Sequence, residues 1–320
     1  MITAVLMATY HGEKHLVEQL DSIVSQATRD LVLYVRDDDN SARLEDTLSS
    51  RCSRLKYVNL TNYPNKIGSV HNFGFLSSYA YSQGESYFCY SDQDDVWVPE
   101  KVRSLNRRIK YHEQCKSNKA VLLYSDMFVV DDGLNVISPS FMKYQGLIHN
   151  SVAPLNSLLA QNFVTGCASM LNRELMRVSL PFPKEAIVHD WWVALCAAAM
   201  GHIEYIDEPL VKYRQHDNNQ IGASHWSSRL NPLKSNWRQQ WLSGRDNLKA
   251  SMLQARALAE RVKLHYPNNE NIPLIEAYAD LINVKSGVER VRRARALGVR
   301  VQTPLRYGLF LSRLLFLNGK

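Results

Sequence analysis

The chain has 320 residues, 45% hydrophobic and 22% charged, which is enough to close a real core and ordinary for a globular protein rather than a disordered one. Its net charge of +7 is lopsided: residues 285–320 carry nine bases against the single acid Glu289, so the remainder is close to neutral. Five cysteines (Cys52, Cys89, Cys115, Cys167, Cys196), odd in number and without a CxxC pair, argue against a disulfide framework or a structural zinc site and fit a reducing cytosol.

Residues 2–8 open the chain as an apolar strand, with neither the basic segment nor the cleavage site of a signal peptide. Over 13–25, Leu16, Val17, Leu20, Ile23 and Val24 recur at helical spacing. A second strand at 31–36 runs into Asp37-Asp38-Asp39, followed by a short helix at 42–50 and a third strand at 55–60. Residues 68–83 put Val70, Phe73, Leu76 and Ala80 on one helical face. A fourth strand, 87–90, leads straight into Asp92-Gln93-Asp94-Asp95, and Pro99 opens a helix to about residue 112. Strands alternating with helices predict a parallel, Rossmann-like sheet, in which ligands bind beyond the carboxyl ends of the strands. Both acidic runs directly follow strands, so both are expected to face one crevice.

Beyond residue 120 the pattern is mixed, with strands expected at 121–124, 127–130, 167–171 and 210–213 and an amphipathic helix at 189–200. Cys89 and Cys167 fall in apolar runs and read as buried, inert thiols. After Gly222 the composition turns helical, and Leu248, Met252, Ala255, Ala259 and Val262 mark a packed helix face. These features divide the chain into an α/β domain over 1–222 and a helical region over 223–320. No apolar run approaches the roughly 18 residues that a bilayer-spanning helix needs.

Asp92, Asp94 and Asp95 repel one another in a neutral loop and become sensible around a divalent cation. Mg²⁺ or Mn²⁺ takes oxygen ligands and is commonly held by one or two carboxylates plus substrate phosphates. The plainer reading is a solvated acidic loop whose charges suit the start of the helix at Pro99. The strand directly upstream and Trp97 downstream favour the cation.

The ordered blocks Ala8-Thr9-Tyr10, Gly12-Glu13-Lys14, Arg36-Asp37-Asp38, Lys66 and Gly68 with Asn72-Phe73, and Ser91-Asp92-Gln93-Asp94-Asp95-Val96-Trp97 resemble glycosyltransferase family 2. Thr165-Gly166-Cys167, His189-Asp190-Trp191-Trp192 and Tyr213-Arg214-Gln215-His216 with Asn218-Asn219 are similar to its bacterial rhamnosyltransferase-like branch. The match spans roughly residues 2–222. The resemblance implies a GT-A fold, with a mostly parallel sheet, followed by a C-terminal helical region. It implies an inverting, metal-dependent transferase that moves a sugar, L-rhamnose from dTDP-rhamnose, to a glycan acceptor in bacterial surface polysaccharide synthesis. A UDP-hexose such as UDP-glucose or UDP-galactose is the alternative donor.

By the same resemblance, Thr9 and Tyr10 line the base pocket and Asp38 bonds the base or ribose, with Glu13, Lys66, Asn72 and Gly166 in the nucleotide-sugar set. Asp92 contacts the ribose or a metal-bound water, Asp94 ligates Mg²⁺ or Mn²⁺, His216 approaches the metal or diphosphate, and Asp190 matches the catalytic base. Two departures bear on base preference: His11 stands where asparagine is usual, and Asp39-Asn40 where Gly-Ser is usual. The chemistry supports Asp190 separately. Displacement at an anomeric carbon needs a base for the acceptor hydroxyl, contributing typically ~10²–10⁴-fold. A carboxylate at a helix start beside two tryptophans has a dry wall to raise its pKa, although aspartate is also a common helix cap there. Trp191 is expected to stack on a sugar face, against the commoner use of tryptophan in packing.

Arginines mixed with Leu305, Leu309, Phe310, Leu311, Leu314, Leu315, Phe316 and Leu317 read as a basic amphipathic segment that binds a membrane surface. Packing of these leucines on the body is the alternative, and no nucleic-acid module is recognisable. This sets the protein in the cytoplasm, on the inner face of the cell membrane, with an acceptor on a lipid carrier. Two other classes stand against a transferase. A nucleotidyltransferase would carry a glycine- and lysine-rich phosphate loop where Ala8-Thr9-Tyr10-His11-Gly12 stands. A non-catalytic membrane scaffold would tolerate alanine throughout the acidic run.

Overall fold

The computed structural model describes residues 2–26, 30–39, 41, 43–61, 66–115, 119–215 and 237–317. The boundary expected near residue 222 lies outside them. The first half alternates as its periodicities predict: β1 (Thr3–Thr9), α1 (Leu16–Val24), β2 (Leu31–Asp37), α2 (Arg43–Arg51), β3 (Lys56–Asn59), α3 (Ser69–Ser82) and β4 (Tyr87–Ser91). A short β5 (Val96–Trp97) follows the acidic run, then α4 (Lys101–Cys115), β6 (Ala120–Val130) and β7 (Val136–Ser138). Next come α5 (Phe141–Gln145), α6 (Pro154–Leu158), a tight 3₁₀ turn at Gly166–Ala168, β8 (Ser169–Asn172), α7 (Arg173–Ser179), α8 (His189–Met200) and β9 (Gly201–Arg214).

Among the described residues these strands form one nine-stranded sheet in the order β3-β2-β1-β4-β8-β6-β9-β5, with β7 on β6. Strands β1 to β4 are parallel, as expected; β8 runs antiparallel to both β4 and β6, and β9 returns parallel to β6. Every residue of β2 and β4 is buried, the near-continuous apolar pattern of central parallel strands. Alternation along β1 sends Ala4 and Leu6 into the core layer under α3 and α8, and Val5 and Met7 into the layer under α1 and α4. In register, Thr9 lies level with Asp37 and Met7 with Ser91. The loops after β1, β2 and β4 therefore emerge side by side.

Three expectations change. The strands expected at 121–124 and 127–130 are one strand, β6, interrupted by register shifts around Ser125 and Asp126. Asp126 is buried there, its carboxylate accepting from the Met127 and Met142 backbone amides and the Ser140 hydroxyl, which caps α5. The segment at 210–213 is only the end of the fourteen-residue β9. Helix α8 is not amphipathic: it is buried at nearly every position, because the sheet lies on one side of it and C-terminal helices on another.

Those helices are α9 (Trp237–His265), α10 (Ile272–Ala279), α11 (Gly287–Ala296) and α12 (Pro304–Leu315). Leu248, Met252, Ala255, Ala259 and Val262 are buried in the same core layer as Trp192. The basic segment is largely folded onto the body. Phe310, Leu314 and Leu317 join that layer, and Arg290, 1% exposed, donates to the carbonyls of Leu281, Val284 and Leu314. Leu305, Leu309, Leu315 and Phe316 remain exposed. Among the described residues no helix is long and apolar enough to cross a membrane.

Candidate active site

The loops after β1, β2 and β4 meet α8, α9 and α12 around a cleft of about 2720 Å³. That exceeds the roughly 300–1,000 Å³ of a single small-ligand pocket. Its lining brings together Thr9, Tyr10, Asp38, Lys66, Asn72, Asp92, Asp94, Gly166, Asp190 and Trp191. Glu13 is not among them: it lines an adjoining cavity of about 180 Å³, where it accepts from the Ser41 hydroxyl. His216 lies outside the described residues.

Several of these side chains are committed to building the loops. The Thr9 hydroxyl donates to Asp37, whose other oxygen accepts from the Ser41 amide and fixes the turn after β2. Asp38 pairs with buried Arg36 and accepts from the Gly68 amide at 2.8 Å, tying the start of α3 to β2. Gly68 has φ +79, a conformation that side chains resist. Asn72 donates to the Arg36 carbonyl. Lys66 sits over the Tyr10 ring, 3.8 Å from its centroid, and donates to its hydroxyl, so the pair forms a cationic lip. The two departures at positions 11 and 39 meet each other: His11 Nδ1 lies 2.6 Å from Asp39.

The neutral residue of the acidic run has a purpose. The Gln93 carboxamide accepts from the Tyr10 amide (2.8 Å) and donates to the Tyr10 carbonyl (3.0 Å), which a carboxylate cannot do. A Cβ on Gly12 would lie 2.3 Å from Gln93 Oε1, so glycine there keeps the latch open.

Asp92 and Asp94 face the cleft, whereas Asp95 is 1% exposed behind them, one oxygen accepting from the Arg214 amide and its side chain lying beside the Cys167 thiol. Burial first, then Asp94 and Asp190, pushes Asp92 up to about 7; burial, Asp94 and Asp92 push Asp95 well above the carboxylate range. One ligand atom each from Asp92, Asp95 and Cys167 lies within 4.8 Å of the others, and Asp94 is not in that group. Burial also raises the Cys167 thiol far above its ordinary value, which disfavours a thiolate ligand. Of this group, the carboxylate oxygens are the donors that suit a hard divalent cation.

Two buried cations that the sequence reading missed hold this acidic wall. Lys101 lies 3.4 Å from the Trp97 ring centroid and donates to the Cys167 carbonyl; burial lowers its amine to about 8 against the pull of the nearby thiols and carboxylates. Arg214, 1% exposed, donates to the carbonyls of Asp94 and Asp132 and to Glu18, joining the acidic run to α1 and to the turn after β6. Arg214 stood inside a recognised block without a role, and Lys101 looked like any lysine in a helical turn.

Across the cleft, Asp190 lies in the first turn of α8, but the cap position is Val188. Asp190 accepts from the Gly166 amide at 3.0 Å and from Asn162 at 3.1 Å. Burial raises its carboxyl to about 6, against the lowering effect of those donors and the Trp191 amide. Gly166 is a close approach: a Cβ there would stand 2.6 Å from His189 Nε2. His189 stacks on Phe73 and, lowered to about 3 by burial, is a neutral wall beside the carboxylate. Trp191 is mostly a packing residue, 9% exposed with its indole N–H on the Leu158 carbonyl, though it is part of the cleft lining.

No family model matches the chain. In sequence it is similar to the dTDP-rhamnosyl transferase RfbG of Shigella flexneri, 26% identical over 68% of this chain and 74% of that protein. It is also similar to an uncharacterized glycosyltransferase of Methanocaldococcus jannaschii, 23% identical over 67% of this chain and 70% of that protein. In structure it is similar to residues 1-349 of S. aureus TarS in complex with UDP-GlcNAc, with a TM-score of 0.57 at 15% identity, covering 99% of this chain and 90% of that one. The structural likeness shows a shared fold. With the sequence relatives, it bears out the resemblance to glycosyltransferases and the expected α/β architecture.

Proposed function

We propose that the protein is an inverting, cation-assisted glycosyltransferase that moves L-rhamnose from dTDP-rhamnose to a glycan acceptor during bacterial surface polysaccharide synthesis. The observation that carries this reading is Asp190: a half-buried carboxylate held by two donors and pushed up to about 6, across one cleft from Asp92 and Asp94. The acceptor hydroxyl loses its proton to Asp190 as its oxygen bonds to the anomeric carbon from the face opposite the leaving group. The bond from that carbon to the diphosphate breaks, and the nucleoside diphosphate departs with the electron pair. A base titrating near 6 is ionised at neutral pH while remaining a competent proton acceptor. Mg²⁺ or Mn²⁺ held by the Asp92 and Asp95 carboxylates, with Asp94 beside them on the cleft, would supply charge neutralisation for the leaving diphosphate. Lys66 on the Tyr10 ring adds a second positive group on the donor side.

The dTDP-linked donor rests on the Shigella flexneri relative. A UDP-linked hexose is the second reading, favoured by the UDP-GlcNAc bound in TarS. The remaining cleft wall, from α9 and α12, is available to the acceptor. Leu305 and Leu309 line that wall and are exposed. This supports a lipid-linked acceptor and peripheral association with the cytoplasmic face of the membrane.

A thermal-shift panel of dTDP, UDP, dTDP-rhamnose and UDP-hexoses, with and without Mn²⁺, followed by a transfer assay with the best donor, tests the reading. Stabilisation by dTDP-rhamnose that grows with Mn²⁺ is expected. Preference for a UDP-sugar would move the donor assignment, and no response to any nucleotide would sink the transferase reading.

A further inference from the structure

Far from the cleft, β9 and α4 bring together a second group of ligating side chains. Alternation along β9 turns His202 and Glu204 to one face of the strand. The last two turns of α4 cover that face with Arg108 and His112, four residues apart and so adjacent on the helix. Arg108 donates to Glu204 Oε1 at 3.1 Å, and His112 Nε2 contacts Oε2 of the same carboxylate. The His112 and His202 rings lie 4.7 Å apart, centroid to centroid. One ligand atom each from His112, His202 and Glu204 lies within 4.8 Å of the others. None of the three lines the cleft. Ten residues of strand separate Glu204 from Arg214 beside the acidic run, roughly 30 Å of extended chain.

We infer that His112, His202 and Glu204 form a binding site for a borderline-soft divalent metal of the zinc class. Two imidazole nitrogens and one carboxylate oxygen are a donor set that Zn²⁺ takes, with a fourth position left to water. Magnesium prefers oxygen donors and keeps its waters, so this site and the cleft select different ions. His112 and Glu204 keep side-chain exposures of 19% and 21%, so an ion reaches them without unfolding. Arg108 occupies only Oε1 and leaves Oε2 to the metal. With a metal bound, the contact between His112 and Oε2 is replaced by bonds from both to the ion, and any proton shared between them is released. The ion cross-links α4 to β9. Because α4 begins at Lys101, beneath the acidic run, the clamp steadies the helix on which that wall rests.

The test uses the untagged full chain, dialysed against a chelator, then incubated with Zn²⁺ in excess Mg²⁺, desalted and assayed for metal content. Cobalt substitution, read by its visible absorption, reports nitrogen coordination. The wild type is expected to retain one zinc per chain and to gain thermal stability from it. His202→Ala leaves the clamp of Arg108, His112 and Glu204 standing, so its fold is preserved while Zn²⁺ affinity falls by at least about tenfold, no less than loss of an outer-shell partner would cost. Asp92→Asn, in the cleft, is expected to retain zinc like the wild type. Absence of zinc in the wild type, or equal retention by His202→Ala, would overturn the assignment; loss of zinc in Asp92→Asn would also do so, by moving the site to the cleft.

Discussion

Replacing Asp190 with asparagine separates a base from a structural carboxylate. The substitution keeps shape and removes charge. Holding that charge in the folded chain at neutral pH costs about 3 kcal/mol, since the carboxyl titrates near 6 whereas a solvated aspartate titrates near 4. Asparagine removes this cost, but its amide nitrogen faces one of two donors, Gly166 N–H or Asn162, and leaves it unsatisfied for about 1–3 kcal/mol. The two effects nearly cancel, so Tm is expected to stay within a few degrees of the wild type. Turnover is expected to fall ~10²–10⁴-fold, or about 3–5 kcal/mol in the barrier. In the wild type kcat/KM rises with pH through about 6 as Asp190 loses its proton, and the variant lacks that limb. Initial rates with saturating donor, measured from pH 5 to 8 beside a melting curve, supply both numbers. A variant that turns over within fivefold of the wild type, or keeps the limb near pH 6, would refute the assignment of the base.

Gly166→Ala forces a Cβ to within 2.6 Å of His189 Nε2 and 3.2 Å of Asp190 Cβ, so it should lower stability by about 1–3 kcal/mol and cut kcat more than it alters donor KM. Chemical unfolding and steady-state kinetics check it. Arg214→Met removes the shared donor of the Asp94 and Asp132 carbonyls and of the half-exposed Glu18, leaving the carbonyls unpaired at about 1–3 kcal/mol in urea unfolding. Asp92 and Asp190 have raised folded values, about 7 and about 6, so the stability they contribute is fully present below pH ~4 and is lost as pH rises through those values. A cation among the carboxylates reverses that loss, so the Mn²⁺-induced rise in Tm should be larger at pH 8 than at pH 5; equal rises would count against the site.

What could be read in advance was whatever repeats locally. Strand-to-helix alternation through residue 91 fixed β1 to β4 and therefore the common mouth of Asp38, Asp92 and Asp94. Long-range pairing could not be read: Ser125-Asp126 looks like the end of a strand until Asp126 is seen accepting from Ser140 and Met142 at the start of α5. The acid cluster was legible as charges, but its counter-charges were not, because a lysine or arginine looks the same whether solvated or buried against Trp97 or Asp132. Asp190 stood out by its place at a helix start beside two tryptophans, and it does line the cleft. The Gly166 amide that aims it was legible only as a motif letter, since the close approach of α8 is a tertiary fact. In the tail both readings have their residues, Phe310, Leu314 and Leu317 packed on the body and Leu305, Leu309, Leu315 and Phe316 exposed, because helical spacing of leucines does not say whether the face they form meets lipid or another helix.

The shared core between α8 and the C-terminal helices bears on how such a protein diversifies. One wall of the cleft is set by three short loops locked to each other and to buried cations, so a change there disturbs the ion and the leaving group together. The opposite wall, from Gln239 to Asn247 of α9 and from Pro304 to Arg313 of α12, is made of exposed helical turns on a common core. Apart from buried Phe310 and the close approach of Gly244 to Arg313, their side chains can change without disturbing the chemistry across from them. A family of transferases could therefore change acceptors by rewriting its last eighty residues, while truncation at the end of the α/β part would strip the cleft of its α9 and α12 wall.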